Sequence, residues 1–375
     1  MNAKILLNSI EKMGIEVITG VPDSTLKQFC DGLQTYEGGL THFVPANEGA
    51  AIGIAVGTYL SSGRPACVYM QNSGLGNIVN PITSLANKDV YGIPMLLIVG
   101  WRGEPGVKDE PQHVFQGKIT KELLEVLDIP YEVLDSDMPD SAIPEILDKA
   151  KAAMDERKQF ALIVKKDTFE KADKFEWDNA FPLNREEVLG ELLEMIPADA
   201  CIVSTTGKIS RELYEQSDMR FGNHDRLFMT VGGMGHASMI AFGIANSQKQ
   251  REVFCIDGDG AALMHMGGLA FLATNAPKNF KHIVINNRAH ESVGSMPTGA
   301  QQVSIAKVAE AAGYRFAMSV TKPEELPAVK EFLAKEGPVL CEIMVGLDSR
   351  KDLGRPKETA AENRESFMEY LKNVK

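Results

Sequence analysis

Short β-rich apolar runs alternate with longer amphipathic segments from residue 1 to about residue 170, the pattern of a parallel sheet covered by helices. The runs Ile15 to Thr19, His42 to Pro45, Ala66 to Tyr69, Pro94 to Val99 and Phe160 to Val164 read as strands, and Glu48 to Ser62 and Ile143 to Met154 as helices. Between Asp167 and Pro182 the periodicity fails and charge accumulates at Glu170, Lys171, Asp173 and Lys174, which predicts a linker over 171–182. A second alternating block follows. Its strands are expected at Cys201 to Ser204, Val253 to Ile256, Lys281 to Ile285 and Pro338 to Val345, with helices at Glu186 to Ile196, His236 to Gln248, Leu263 to Thr274 and Ile305 to Ala312. The expected fold is α/β: two doubly wound parallel-sheet domains, residues 1–170 and 183–375, without a repeat of fixed period. The tail from Asp348 is polar, and Leu353 to Ala361 reads either as a mobile flap or, the commoner case, as a solvated end.

Composition narrows the function classes. The 375 residues and 44% hydrophobic content suit a globular protein with a sizeable core. No run of about 18 apolar residues occurs, and Met1 to Glu11 lacks a cleavage pattern, so a soluble, cytoplasmic protein is expected. Cys30, Cys67, Cys201, Cys255 and Cys341 are odd in number and scattered through apolar runs, as reduced, buried residues would be. A net charge of −12 argues against a broad nucleic-acid surface, so an anionic ligand must meet a local basic pocket. No His or Cys pair has zinc-like spacing with further ligands.

Two motifs carry most of the chemical information. Gly258-Asp259-Gly260 ends the run Val253 to Ile256, and Asn286-Asn287 ends the next run. Both fall at carboxyl ends of strands, the ligand-binding edge of an open parallel sheet, where Asp and Asn oxygens can hold a hard cation such as magnesium. Glycines beside the aspartate allow backbone amides to approach a phosphate. A sugar nucleotide or a thiamine cofactor would satisfy this pair equally well. A third motif, Val44-Pro45-Ala46-Asn47-Glu48-Gly49-Ala50-Ala51, sets Glu48 after a strand and at the head of an apolar helix. There it can either share a proton with a ring nitrogen or simply favour the helix dipole.

Together with the loop Val231-Gly232-Gly233-Met234-Gly235, these residues resemble the thiamine-diphosphate-dependent 2-oxoacid decarboxylase family. The resemblance implies a pyrimidine-binding domain over 1–170 and a diphosphate-binding domain over 183–375, without the central third domain of larger decarboxylases. It implies that Asp259, Asn287 and the Ala289 carbonyl hold Mg2+, and that Glu48 hydrogen-bonds the aminopyrimidine of thiamine diphosphate. Met234 would wedge between the two cofactor rings, the Gly232 carbonyl would accept from the exocyclic amine, and Gly258, Gly260 and Ala261 would line the diphosphate. Thr205, Thr206 and Gly207 would donate either to that diphosphate or to a substrate anion. In this family the pyrimidine-binding domain of one subunit faces the diphosphate-binding domain of another, which implies a homo-oligomer with active sites between subunits.

Within the family, the two-domain length and the segments Gly20-Val21-Pro22-Asp23-Ser24, Trp101 to Gly106, Glu110 to His113 and Ser204 to Lys208 resemble the phosphonopyruvate decarboxylase branch, with the sulfopyruvate enzymes near. That implies release of carbon dioxide from 3-phosphonopyruvate to give phosphonoacetaldehyde in phosphonate biosynthesis, with sulfopyruvate decarboxylation or carboligation as alternatives. A substrate with a second anionic group needs cations and polar donors, for which Lys208, Arg102, Lys27, Arg288 and Ser292 are candidates. Asp23, His113 and His290 are candidates for proton handling. One stretch departs from the branch, which usually shows Gly, Asp, Gly and Gln where this chain has Arg288, Glu291, Ser295 and Met296.

Overall fold

A computed structural model describes residues 1–347 and 349–372, with the side chain of Ser292 outside the described residues. The chain divides into two units, Met1–Glu176 with Val293–Met296, and Trp177–Ser292 with Pro297–Lys375. Residues 165–184 contain neither helix nor strand. All five cysteines are free and buried. Among the described residues no helix is long and apolar enough to cross a membrane.

The first unit holds strands β1 (Val17–Gly20), β2 (Thr41–Phe43), β3 (Ala66–Gln71), β4 (Met95–Gly100), β5 (Tyr131–Leu134) and β6 (Gln159–Val164). They form one six-stranded sheet in the order β2-β1-β3-β4-β6-β5, and every neighbouring pair is parallel. Successive residues of β4 feed two different apolar layers: Leu96 and Ile98 join one, Met95, Leu97 and Val99 the other. A strand covered on both faces must be apolar at every position, which explains the unbroken hydrophobic run. The one polar residue of β6 with no route to solvent, Gln159, donates through Nε2 to the carbonyls of Ala86 (2.9 Å) and Ile93 (2.7 Å).

The second unit holds β7 (Cys201–Ser204), β8 (Leu227–Met229), β9 (Val253–Gly258), β10 (Phe280–Asn286), β11 (Phe316–Val320) and β12 (Val339–Met344). Their order, β11-β12-β10-β9-β7-β8, is that of the first sheet read from the other side, again all parallel. In each sheet the chain runs from its first strand to one edge and then crosses back. The reversal lies between β1 and β3 in one unit and between β7 and β9 in the other. A doubly wound sheet opens a crevice there, at the carboxyl ends of its strands.

Within the two six-stranded sheets, Tyr131–Leu134, Leu227–Met229 and Phe316–Val320 escape a pattern-based reading, and each ends its sheet; the short pair Ala289–His290 and Met296–Pro297, a separate two-stranded sheet, escapes it too. Edge strands are half-solvated, so their apolar signal is diluted; Phe316, for instance, is exposed. The helix expected over Leu263 to Thr274 is two helices, Asp259–Met264 and Gly268–Asn275, parted by a turn over residues 265–267. The helix Lys208–Phe221 is also hidden in the sequence because its buried face carries Ser210, Glu212 and Ser217 besides Leu213 and Tyr214. The segment Leu353 to Ala361 runs without strand into the helix Ala360–Lys372. Arg211 donates to the Gly354 carbonyl (2.6 Å) and to that of Leu353.

One buried carboxylate ties β12 to its neighbours. Glu342 accepts from Asn286 Nδ2 (2.8 Å), the Ser319 (2.9 Å) and Ser304 (3.1 Å) hydroxyls, and the amides of Ile305 and Ala306 (3.1 Å each). It thereby caps the helix Ile305–Ala312 and holds the residue before Asn287. Truncation by Glu342→Ala would strand several buried donors and is expected to cost about 3 kcal/mol. Urea unfolding checks this; a midpoint equal to that of the unaltered protein would reject it.

Candidate active site

The functional residues of the first unit gather on the carboxyl edge of its sheet. Asp23 follows β1, Glu48 follows β2, the segment Gln71 to Gly74 follows β3, and Arg102 follows β4. Asn47 caps the helix Glu48–Ser62, accepting from the Ala50 amide at 2.9 Å, and so sets Glu48 in the first turn. The Glu48 side chain is buried, with Oε2 accepting from Asn77 Nδ2 at 2.7 Å. Its other oxygen lies over Gly74, so close that a Cβ there would sit 2.5 Å from Oε1. Only glycine leaves room for this carboxylate. Asn77 and Gly74 escape a sequence reading because nothing in the periodicity links them to Glu48.

Asp23 is fully buried. It accepts from the amides of Thr25 (2.7 Å) and Leu26 (3.1 Å) and from Gln71. Burial nevertheless holds its carboxyl above the usual range. Arg102 is no free anion ligand: its guanidinium grips both oxygens of Asp109, with one contact at 2.8 Å, and donates to Ser24 Oγ at 2.7 Å. Burial alone would raise Asp109, but Arg102 and the amides of Glu110 and Gly103 hold it well below the carboxylate range. His113 is half-buried, and desolvation followed by the nearby Arg102 charge lowers it to about 4. It is a neutral imidazole near pH 7. Lys27 pairs with Asp31 on its own helix.

The second unit collects the remaining candidates. Thr205 to Lys208 follow β7, where Gly207 adopts φ +100° at the head of the helix Lys208–Phe221, a conformation that favours glycine. The Thr205 hydroxyl is buried without a partner, while Thr206 Oγ1 donates to the Val231 carbonyl at 3.0 Å. Asp259 opens the helix after β9 and accepts from Thr298 Oγ1 at 2.5 Å. Burial raises its carboxyl to about 7. Gly260 lies under Met234 and His290, since a Cβ there would meet the His290 ring at 3.1 Å and the Met234 methyl at 3.3 Å. His290 is half-buried, and desolvation lowers it to about 4. Gly232 is exposed and Ala261 buried. Arg288 lies over the Phe181 ring at 5.0 Å. The Ser292 side chain lies outside the described residues.

Asn287 is buried. Its Nδ2 donates to Glu291 (2.9 Å), its Oδ1 accepts from the Ala289 amide (3.1 Å), and its carbonyl accepts from Asn179 Nδ2 (2.7 Å). Lys208, like Arg102, is paired: Nζ donates to Glu291 (2.8 Å) and Ser349 Oγ (2.7 Å). Arg185, buried in a two-point contact with Glu212 (2.7 Å each), also reaches Glu291. Sequence reading singles out neither Arg185 nor Glu212, which look like ordinary helix charges until the fold buries them.

These residues fit a magnesium diphosphate. A desolvated aspartate calls for a cation, the Asn287 oxygen is of the right hardness, and the orphaned Thr205 hydroxyl and the Gly258–Gly260 turn offer donors and close backbone approach. Glu48 fits a carboxylate partner for a ring nitrogen.

The local chemistry generates two expectations. Gly74→Ala must displace Glu48 and is expected to lower turnover about 100-fold with little change in melting temperature; unchanged kcat would reject the close approach. Below pH of about 7 a cation must expel the Asp259 proton, so apparent magnesium affinity is expected to climb ~10-fold per pH unit and then level off. By the same shift, the metal-free fold retains a proton that the unfolded chain releases, so its stability falls as pH rises from the ordinary aspartate value to about 7. Calorimetric magnesium titrations across that range check the first effect, and a flat profile would reject it.

Comparison with known proteins places the family. Residues 2–124 match the model described as thiamine pyrophosphate enzyme, N-terminal TPP binding domain, and residues 206–343 its C-terminal TPP binding domain. A phosphonopyruvate decarboxylase of Streptomyces viridochromogenes is 33% identical over 99% of this chain and 95% of its own length. That of Streptomyces hygroscopicus is 34% identical over 99% and 94%. The sulfopyruvate decarboxylase subunit beta of Methanothermobacter thermautotrophicus is 34% identical over 44% of this chain and 82% of its own. With both cofactor-binding domains present and likeness running the full length of the phosphonopyruvate enzymes, the chain belongs to the thiamine-diphosphate-dependent phosphonopyruvate decarboxylase family.

Proposed function

We propose that this enzyme decarboxylates 3-phosphonopyruvate to phosphonoacetaldehyde and carbon dioxide, in the cytoplasm and as a step of phosphonate biosynthesis. The observation that supports the substrate is 33–34% identity over 99% of the chain to two phosphonopyruvate decarboxylases, against 24% identity over 88% of it to a sulfopyruvate decarboxylase of Methanosarcina acetivorans. Buried, unbridged cysteines suit a reducing compartment.

Thiamine diphosphate, when bound, supplies the electron sink that decarboxylation requires. The chain's own residues do the rest. Asp259, Asn287 and the Ala289 carbonyl hold magnesium, and Thr205, Thr206, Gly207, Gly258, Gly260 and Ala261 surround the diphosphate. Gly232 and Met234 seat the rings. Glu48, fixed by Asn77, would hydrogen-bond the aminopyrimidine nitrogen and could share a proton there. Arg102 and Lys208 orient the substrate anion while keeping their carboxylate partners, which limits the net charge at each position. Ser292 completes the substrate contacts. Asp23, His113 and His290 are the groups that handle the proton that replaces carbon dioxide; burial raises the Asp23 carboxyl and lowers both imidazoles to about 4.

Two copies of the chain complete each site, the pyrimidine-binding unit of one facing the diphosphate-binding unit of its partner. In support, Gly53 and Gly57 on the helix Glu48–Ser62 carry open space where side chains would stand, and Leu60 is exposed. Such a face suits close helix packing between subunits.

Purified protein is expected to release carbon dioxide from 3-phosphonopyruvate only with thiamine diphosphate and magnesium. Equal or faster turnover of sulfopyruvate or pyruvate would overturn the substrate. Glu48→Gln is expected to lower kcat by roughly 10²- to 10⁴-fold while cofactor binding persists; unchanged turnover would remove Glu48 from its role.

A further inference from the structure

The cluster around Asn287 contains a carboxylate with no assigned job. Glu291 is almost wholly buried and receives three donors at once: Asn287 Nδ2 at 2.9 Å, Lys208 Nζ at 2.8 Å, and the Arg185 guanidinium. Two fixed cations, the Arg185 guanidinium and Lys208 Nζ, donate to its oxygens in salt-bridge contact, as they would to a carboxylate. An ionised carboxylate has no hydrogen to give. Whatever faces it must donate, which leaves Asn287 one arrangement: NH2 toward Glu291 and Oδ1 away from it. In the reverse arrangement two acceptors would meet at hydrogen-bond distance inside the protein. The Ala289 amide, donating to Oδ1 at 3.1 Å, enforces the same choice from the opposite side and leaves the oxygen a second lone pair.

We propose that Glu291 is a positioning residue for the metal site, aiming the Asn287 amide oxygen at the cation while anchoring Lys208 beside it. The inference rests on the reading of Asn287 as a magnesium ligand. Arg185 has a part in this arrangement. Paired with Glu212 on one side (2.7 Å contacts) and with Glu291 on the other, it ties the carboxylate that faces the Asn287 amide to the helix Arg185–Met195. A second positive charge from Lys208 offsets the negative charge that Glu291 would otherwise leave unpaired.

The test measures magnesium binding directly, by calorimetry on the full-length protein with thiamine diphosphate present, and melting temperature in parallel. Glu291→Gln presents an amide that can donate as well as accept, so the Asn287 amide loses its fixed sense. Half-saturating magnesium is expected to rise roughly 10- to 100-fold. Glu291→Asp keeps the charge against Arg185 and is expected to raise it about threefold to tenfold. Should the glutamine variant fail to fold, the aspartate variant decides. Wild-type magnesium affinity in the folded variants, even with a lowered melting temperature, would overturn the proposal and leave Glu291 a purely structural anion. In an Asn287→Ala background the further Glu291→Gln change is expected to add less than about threefold, because its effect passes through Asn287. A full additional loss would overturn positioning in favour of a direct charge effect. Should Asn287→Ala alone bind magnesium as tightly as wild type, the ligand reading itself falls; should it weaken binding while Glu291→Gln does not, only the positioning inference falls.

Discussion

Parallel pairing of every strand in both sheets is the constraint from which the rest follows. Parallel strands all end on one edge, and the order β2-β1-β3-β4-β6-β5, repeated from β7 to β12, opens each sheet at the same relative place. Residues far apart in the chain therefore converge because they share a position relative to a strand end. Asp23, Glu48, Gln71 and Arg102 stand at strand ends of one unit, and Thr205, Asp259 and Asn287 at strand ends of the other. A chain without detectable internal repeat has built the same topology twice, since the apolar run followed by an amphipathic helix is all that a doubly wound sheet demands.

Such an edge concentrates buried charge, and the two units manage it alike. Arg102 is held by Asp109, and Lys208 and Arg185 are held by Glu291 and Glu212. Each cation is buried only in company, which keeps its desolvation tolerable. Asp259 differs: it has the Thr298 hydroxyl but no paired cation, burial raises its carboxyl, and that imbalance suits it to a metal ion. An acidic chain can thus bind an anionic substrate, because local pairing rather than net charge sets the potential at a strand end.

Much of this was legible in the residues. Strands covered on both faces, such as Met95–Gly100, announce themselves as unbroken apolar runs, whereas the edge strand Phe316–Val320 loses the signal to solvent and Leu227–Met229, though largely buried, is only three residues long. The helix Lys208–Phe221 was masked for a different reason: it buries Glu212 against Arg185, and a buried ion pair reads as two surface charges. Glu48, Asp259 and Asn287 stood out because glycine and asparagine at strand ends are chemically unusual. Gly74, Asn77 and Thr298 did not, since each acts on a residue from another segment.

The sequence by itself determined the class of sheet, the strand ends and the residues whose chemistry suits a magnesium diphosphate, because these depend on local periodicity and on side-chain type. Only the tertiary structure decided which charges meet. Lys208 and Arg185 reach Glu291 across 83 and 106 residues of chain, and Asn286 reaches Glu342 across 56. Those partnerships follow from which strands lie side by side, and strand order is a global compromise among all the apolar faces that no local pattern records.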